Sequence, residues 1–198
     1  MKLYDISQEV FGCSVYEGDP RPERQVLSSI EAGDKYRLTA FSMCAHNGTH
    51  VDAPSHFLAN GKSVEKIALS KFVGEAYVAA WQGNLEADGA EKILADAKRA
   101  NVSAAKRILL KGDVTVTLGA AEVFANAEID LLGVESQSVG PLESPMAVHL
   151  ALLEREVVLL EGIRLGAVDE GVYFLNSAPL SLSGSDGAPC RAILMEVP

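Results

Sequence analysis

Apolar residues along this chain fall into short blocks separated by turn-forming residues, and the blocks follow two periods. Gly74 to Trp81, Arg107 to Lys111, Ile129 to Val134, Glu156 to Leu160 and Val172 to Asn176 are short runs rich in leucine, β-branched or aromatic residues, which predicts strands. Gly89 to Ala100 has the spacing and the Ala, Lys and Glu content of an amphipathic helix, and a second helix is expected over Gly119 to Ala127. Ser144-Pro145 can cap a third helix that carries His149 in its second turn, because proline is tolerated at the first helical position. Nearer the start, residues 2–6 and 10–16 predict short strands, and Glu17-Gly18-Asp19-Pro20 then breaks the chain. Tyr36 to Cys44 is a further strand-like stretch. The strand predicted over Arg191 to Val197 follows the turn-rich Ser183-Gly184-Ser185-Asp186-Gly187-Ala188-Pro189. Strands and helices alternate without a repeat or low-complexity linker, so the expectation is one mixed α/β domain spanning residues 1–198.

Composition fits that reading. At 48% hydrophobic, 198 residues supply one substantial core and leave little for a second. The formal net charge of -10 argues against a nucleic-acid partner, which would demand clustered Lys and Arg. No window of about 20 apolar residues predicts a membrane span. Met1-Lys2-Leu3-Tyr4-Asp5 does not open as a signal peptide does, so the cytoplasm is the expected compartment. The three cysteines, Cys13, Cys44 and Cys190, are widely spaced and form no CxxC, which points away from a disulfide framework or a thiolate zinc site.

Histidine usage changes the picture most. Three of the four histidines lie within His46-Asn47-Gly48-Thr49-His50-Val51-Asp52-Ala53-Pro54-Ser55-His56, and the fourth, His149, precedes Glu161 by twelve residues. Imidazole and carboxylate together are the usual ligands of zinc and similar divalent metals. His46, His50, Asp52 and His56 share parity, so extended backbone would present them on one face. A straight strand would nevertheless put His46 and Asp52 about 20 Å apart, too far to share an ion. The segment must bend, and Gly48 and Pro54 provide for it. The helical zincin pattern is excluded, because Asn47 stands where that motif needs glutamate. Three ligands from one segment would leave positions open for water, which a metal acidifies for attack on a carbonyl carbon. His56 is the natural proton shuttle. Glu161, at the end of an apolar strand, would be costly to bury without a cation.

The run from His46 to Phe57 resembles the HxGTHxDxPxH signature of the cyclase-like metal-dependent hydrolases, the family of bacterial kynurenine formamidases and isatin hydrolases. Val148-His149-Leu150 through Leu160-Glu161 resembles its second ligand segment, and Gly184 to Ala192 its C-terminal segment. The resemblance implies a compact α/β domain with a β-barrel-like core flanked by helices, assembled as a homodimer or higher homo-oligomer. It implies that His46, His50 and Asp52 bind one metal, that Asp52 bridges to a second held with His149 and Glu161, and that His56 is the general acid/base. Two zinc ions are the implied cofactors, with manganese the alternative. The implied activity is hydrolysis of a small amide, foremost an aryl formamide such as N-formylkynurenine. Lactam or lactone opening, the reverse cyclisation, and a non-catalytic metal-binding protein are the rival readings. Where the formamidases carry Trp-Pro-Gly-Asp, this chain has Tyr16-Glu17-Gly18-Asp19, which makes Tyr16 the expected aromatic wall for substrate and puts a charge beside it.

Overall fold

The computed structural model describes residues 1–196, so Val197, the last residue of the predicted final strand, lies outside the described residues. Its elements run in the order β1 (Leu3–Asp5), β2 (Glu23–Ser28), β3 (Leu38–Ser42), β4 (His50–Asp52), β5 (Val73–Ala80), β6 (Gly83–Leu85), α1 (Ala87–Ala100), β7 (Arg107–Lys111), β8 (Val114–Val116), α2 (Leu118–Asn126), β9 (Leu131–Val134), α3 (Met146–Leu153), β10 (Val158–Glu161), β11 (Gly171–Asn176), β12 (Gly187–Pro189) and β13 (Ile193–Glu196). Nine strands form one curled, half-barrel sheet in the order β1-β13-β11-β5-β7-β9-β10-β4-β12. Neighbouring strands from β5 through β7 and β9 to β10 run parallel, and the outer strands pair antiparallel.

Parallel neighbours require a crossover, and α1, α2 and α3 supply the three between β5 and β10. Alternation along each central strand then divides the core in two. Ile108, Leu110, Leu132 and Leu159 pack on the helical side against Ile93, Phe124 and Leu152. Leu109, Leu131 and Leu160 face the concave side with Val51, Val78 and Ile163. Both faces are covered, which is why these strands read as nearly continuous apolar runs. Among the described residues no helix is long and apolar enough to cross a membrane.

Several expectations require correction. Residues 10–16 are not a strand but loop and turn: Gly48 N–H donates to Ser14 O at 3.1 Å and Gly12 N–H to the Glu9 carboxylate at 2.7 Å. Strand β2, pairing with β3 as a separate hairpin, was not expected, since nearly every residue of Glu23–Ser28 is exposed and no buried face imposes alternation. Ser144 makes no side-chain cap. Pro145 itself occupies the N-cap position of α3, and the helix begins at Met146. Glu156, placed in a strand by the sequence, instead has φ of 56° in the turn before β10.

Candidate metal centre and active site

Backbone geometry between His46 and His56 supplies the bend that the spacing demanded. His46 lies in the turn before β4, Gly48 takes φ of 64°, His50–Asp52 forms β4, and Pro54–His56 is a short 3-10 turn with proline in its first turn. Strand β4 pairs antiparallel with β10, opposing His50 to Glu161 directly, and α3 delivers His149 from the other side. His46, His50, Asp52, His149 and Glu161, far apart in sequence, thus meet at one point, with His56 beside them.

Asp52 is 1% exposed and stands between three imidazoles. Its Oδ1 lies 2.8 Å from His46 Nδ1 and 3.4 Å from His50 Nε2, and its Oδ2 lies 3.7 Å from His149 Nε2. Glu161 Oε2 is 3.4 Å from His50 Nε2, and its Oε1 is 3.4 Å from His149 Nε2 while accepting the Val139 N–H at 2.8 Å. Among the described residues three groups of donors converge closely enough to hold a metal: two share Asp52, namely His46, His50 and Asp52, and Asp52, His149 and Glu161, and a third, less buried, joins His46, His56 and Asp186.

The outer nitrogens are already committed. His50 Nδ1 is 3.1 Å from Gly48 O, and His149 Nδ1 is 2.9 Å from Pro145 O. Each carbonyl accepts the ring N–H, leaving Nε2 as a lone pair directed at carboxylates. His50 Nε2 is a buried nitrogen without a hydrogen-bond partner, and acceptors facing acceptors are the arrangement a divalent cation stabilises. Protons can substitute for it. Burial opposes a charge on His50, but Asp52 and Glu161 outweigh burial and hold its pKa up at about 10. Burial likewise opposes charge on His46 and His149, and the adjoining carboxylates raise both. For Asp52 burial favours the neutral acid, yet His46 and His50 hold its carboxyl well below the usual carboxylate range. The centre is built to carry positive charge.

His56 is only partly buried and closes one side of a cavity of about 410 Å³. Its ring stacks on His46 at 4.1 Å between centroids and meets Phe57 edge-on at 4.6 Å. Tyr16 lines the same cavity, its hydroxyl donating to Leu142 O at 3.2 Å. A larger groove of about 700 Å³ lies elsewhere, near Phe41 and Cys190, and contains none of the histidines. Its size carries less weight than the donor geometry of the smaller cavity.

Asp186 is the residue that the sequence reading passed over. Its Oδ2 lies 3.0 Å from His46 Nε2 and 3.3 Å from His56 Nδ1. The signal was present only as the position of Asp186 in the C-terminal segment, where Gly184 and Gly187 made it look like an ordinary turn residue.

This architecture agrees with known proteins along the whole chain. Residues 4–141 match the Cyclase family model. The chain belongs to the cyclase family. Relatives include a kynurenine formamidase of Salinibacter ruber, 31% identical and aligned over 100% of this chain and 99% of that protein, and one of Bacillus anthracis, 30% identical over 99% and 98%. Among solved structures, one described as a potential metal-dependent hydrolase with cyclase activity superposes with a TM-score of 0.80 at 27% identity, covering 100% of this chain and 99% of that one. An isatin hydrolase bound to the product analogue thioisatinate has a TM-score of 0.82 at 16% identity, over 98% and 91%, a likeness of fold alone.

Proposed function

We propose that this cyclase-family protein is a metal-dependent hydrolase of a small amide C–N bond, with an aryl formamide such as N-formylkynurenine as its substrate. The observation that carries the reading is the meeting of two donor sets on the shared Asp52, with His56 placed beside them on the wall of a cavity that also presents Tyr16 and Phe57. The formamidase relatives, aligned over the whole chain, support the substrate class.

In this reading His46, His50 and Asp52 would hold one divalent ion and Asp52, His149 and Glu161 a second, zinc in the first instance and manganese as the alternative. Bound there, such ions supply Lewis acidity, lowering the pKa of water and polarising a carbonyl oxygen. His56 takes a proton from the attacking water as oxygen bonds to the formyl carbon, and returns it to the aryl nitrogen as the C–N bond breaks, yielding formate and an aryl amine. Stacking on His46 and the edge-on contact with Phe57 limit the swing of its ring, and Tyr16 offers a face to the aryl group.

The test is formate release from N-formylkynurenine by purified protein, with and without a chelator. Chelator-sensitive turnover is expected, and its absence with metal bound would reject the substrate. Lactam opening of the isatin hydrolase kind is the second reading, supported by the likeness of fold to an isatin hydrolase, and isatin consumption in the same assay separates the two. We further propose a cytoplasmic homodimer or higher oligomer. The β2–β3 hairpin leaves Val26, Leu27, Leu38 and Phe41 exposed, as a surface awaiting another chain would be. Light scattering at micromolar concentration reads the assembly.

A further inference from the structure

We propose that Asp186 is a positioning residue that sets the orientation and tautomer of His56 and, through the same carboxylate oxygen, anchors His46. The proposal rests on the acid/base reading of His56 given above. Every imidazole of the two donor sets has its outer N–H accepted: His50 by Gly48 O, His149 by Pro145 O, and His46 by Asp186 Oδ2 at 3.0 Å. Only His46 of the three has a carboxylate for this purpose, and that carboxylate oxygen alone is shared with the ring of a second histidine. The same Oδ2 stands 3.3 Å from His56 Nδ1. A carboxylate there accepts the Nδ1–H, so that Nε2, across the ring, carries the lone pair that takes a proton.

The backbone holds Asp186 against β4, with its half-exposed carboxylate beside the two rings. Asp186 O accepts the Ala53 N–H at 2.8 Å, and Gly187 is the register partner of Asp52 across the β12–β4 pair. A Cβ on Gly187 would stand 2.7 Å from His46 Cε1, so the glycine lets this loop close onto the imidazole. Asp186 is therefore one residue along the chain from the strand position facing the shared Asp52.

The experiment is a double-mutant cycle of Asp186→Ala with His56→Ala, assayed for formamide hydrolysis at saturating metal, with metal affinity titrated separately. Asp186→Ala should lower kcat about ten- to a hundredfold with KM nearly unchanged, and Asp186→Asn, which keeps an acceptor oxygen, should recover much of the loss. In the His56→Ala background Asp186→Ala should cost nothing further in kcat, because the pathway through His56 is already gone. Metal affinity should fall about tenfold or more in both backgrounds through His46. ¹⁵N spectra of the four histidines give a readout independent of turnover: His56 should be Nδ1-protonated in the wild type and a tautomer mixture in Asp186→Ala. An unchanged tautomer, or an equal loss of kcat in both backgrounds, would overturn the positioning role. Full activity of His56→Ala alone would instead overturn the acid/base reading, while the tautomer measurement would still report on Asp186.

Discussion

Asp52→Asn removes one negative charge from the buried centre while preserving its shape. In metal-free protein that charge faces His46 at 2.8 Å, His50 at 3.4 Å and His149 at 3.7 Å. Unit charges 3.4 Å apart attract by roughly 5 kcal/mol at an effective dielectric constant of about 20. Glu161 remains 3.4 Å from the same His50 nitrogen, and His50 can shed its proton, so the loss falls below that ceiling. We expect about 2–4 kcal/mol, near the range for removing one partner of a buried ion pair. Urea unfolding of chelator-treated protein at pH 7 measures it, as a lower midpoint at unchanged slope. The pH dependence has a definite sign. His50, raised to about 10, contributes fully below its ordinary 6.5 and loses its contribution as pH rises through 10. Asp52, lowered, contributes fully above its ordinary 3.8 and loses its contribution as pH falls through its depressed value. The gap between wild type and Asp52→Asn should therefore be widest between about pH 4 and 6.5 and close toward pH 10. Metal retained after dialysis should fall as well. A variant within about 1 kcal/mol of wild type that keeps its full metal content would refute the reasoning.

Three further outcomes follow from the same geometry. Metal binding at pH 7 should release at least one proton per chain, because His50 is protonated below about 10 in the metal-free state, and apparent affinity should rise about tenfold per pH unit; proton uptake in a weakly buffered titration, or pH-independent affinity, would contradict this. Gly162→Ala should destabilise by about 1–3 kcal/mol and weaken metal binding: Gly162 has φ of 70°, an added Cβ runs into Gly48 O and Gln137 Nε2, and the residue adjoins Glu161; thermal unfolding at wild-type temperature would count against it. Tyr16→Ala should raise KM for an aryl formamide about two- to tenfold with a smaller change in kcat, and an unaltered KM would remove Tyr16 from the substrate wall.

Much of the centre was legible in sequence because its chemistry is local. His46 to His56 carries four titratable side chains, a glycine and a proline in one segment, so the need for a bend and the means of making it were both visible. The strands β5, β7, β9 and β10 were legible because burial on two faces leaves mostly apolar residues, and their helices because burial on one face leaves a period. Neither signal exists for β2, whose side chains are nearly all exposed, so pairing with β3 rather than burial decides its conformation. At residues 10–16 apolar character misled: Val10 and Phe11 are not core, and the segment is tied down by the Gly48 N–H, which donates to Ser14 O. Asp186 was illegible for another reason. Its partners are 140 and 130 residues away, and only the β12–β4 pairing brings it to them.

The most direct test of the central claim is metal content by elemental analysis of the purified protein, taken together with formate release from N-formylkynurenine before and after chelation. Close to two divalent ions per chain, with turnover lost on chelation and restored by the added ion, is the predicted result. A chain that binds no divalent ion under any loading condition, or that hydrolyses the formamide undiminished after its metal is gone, would contradict the account.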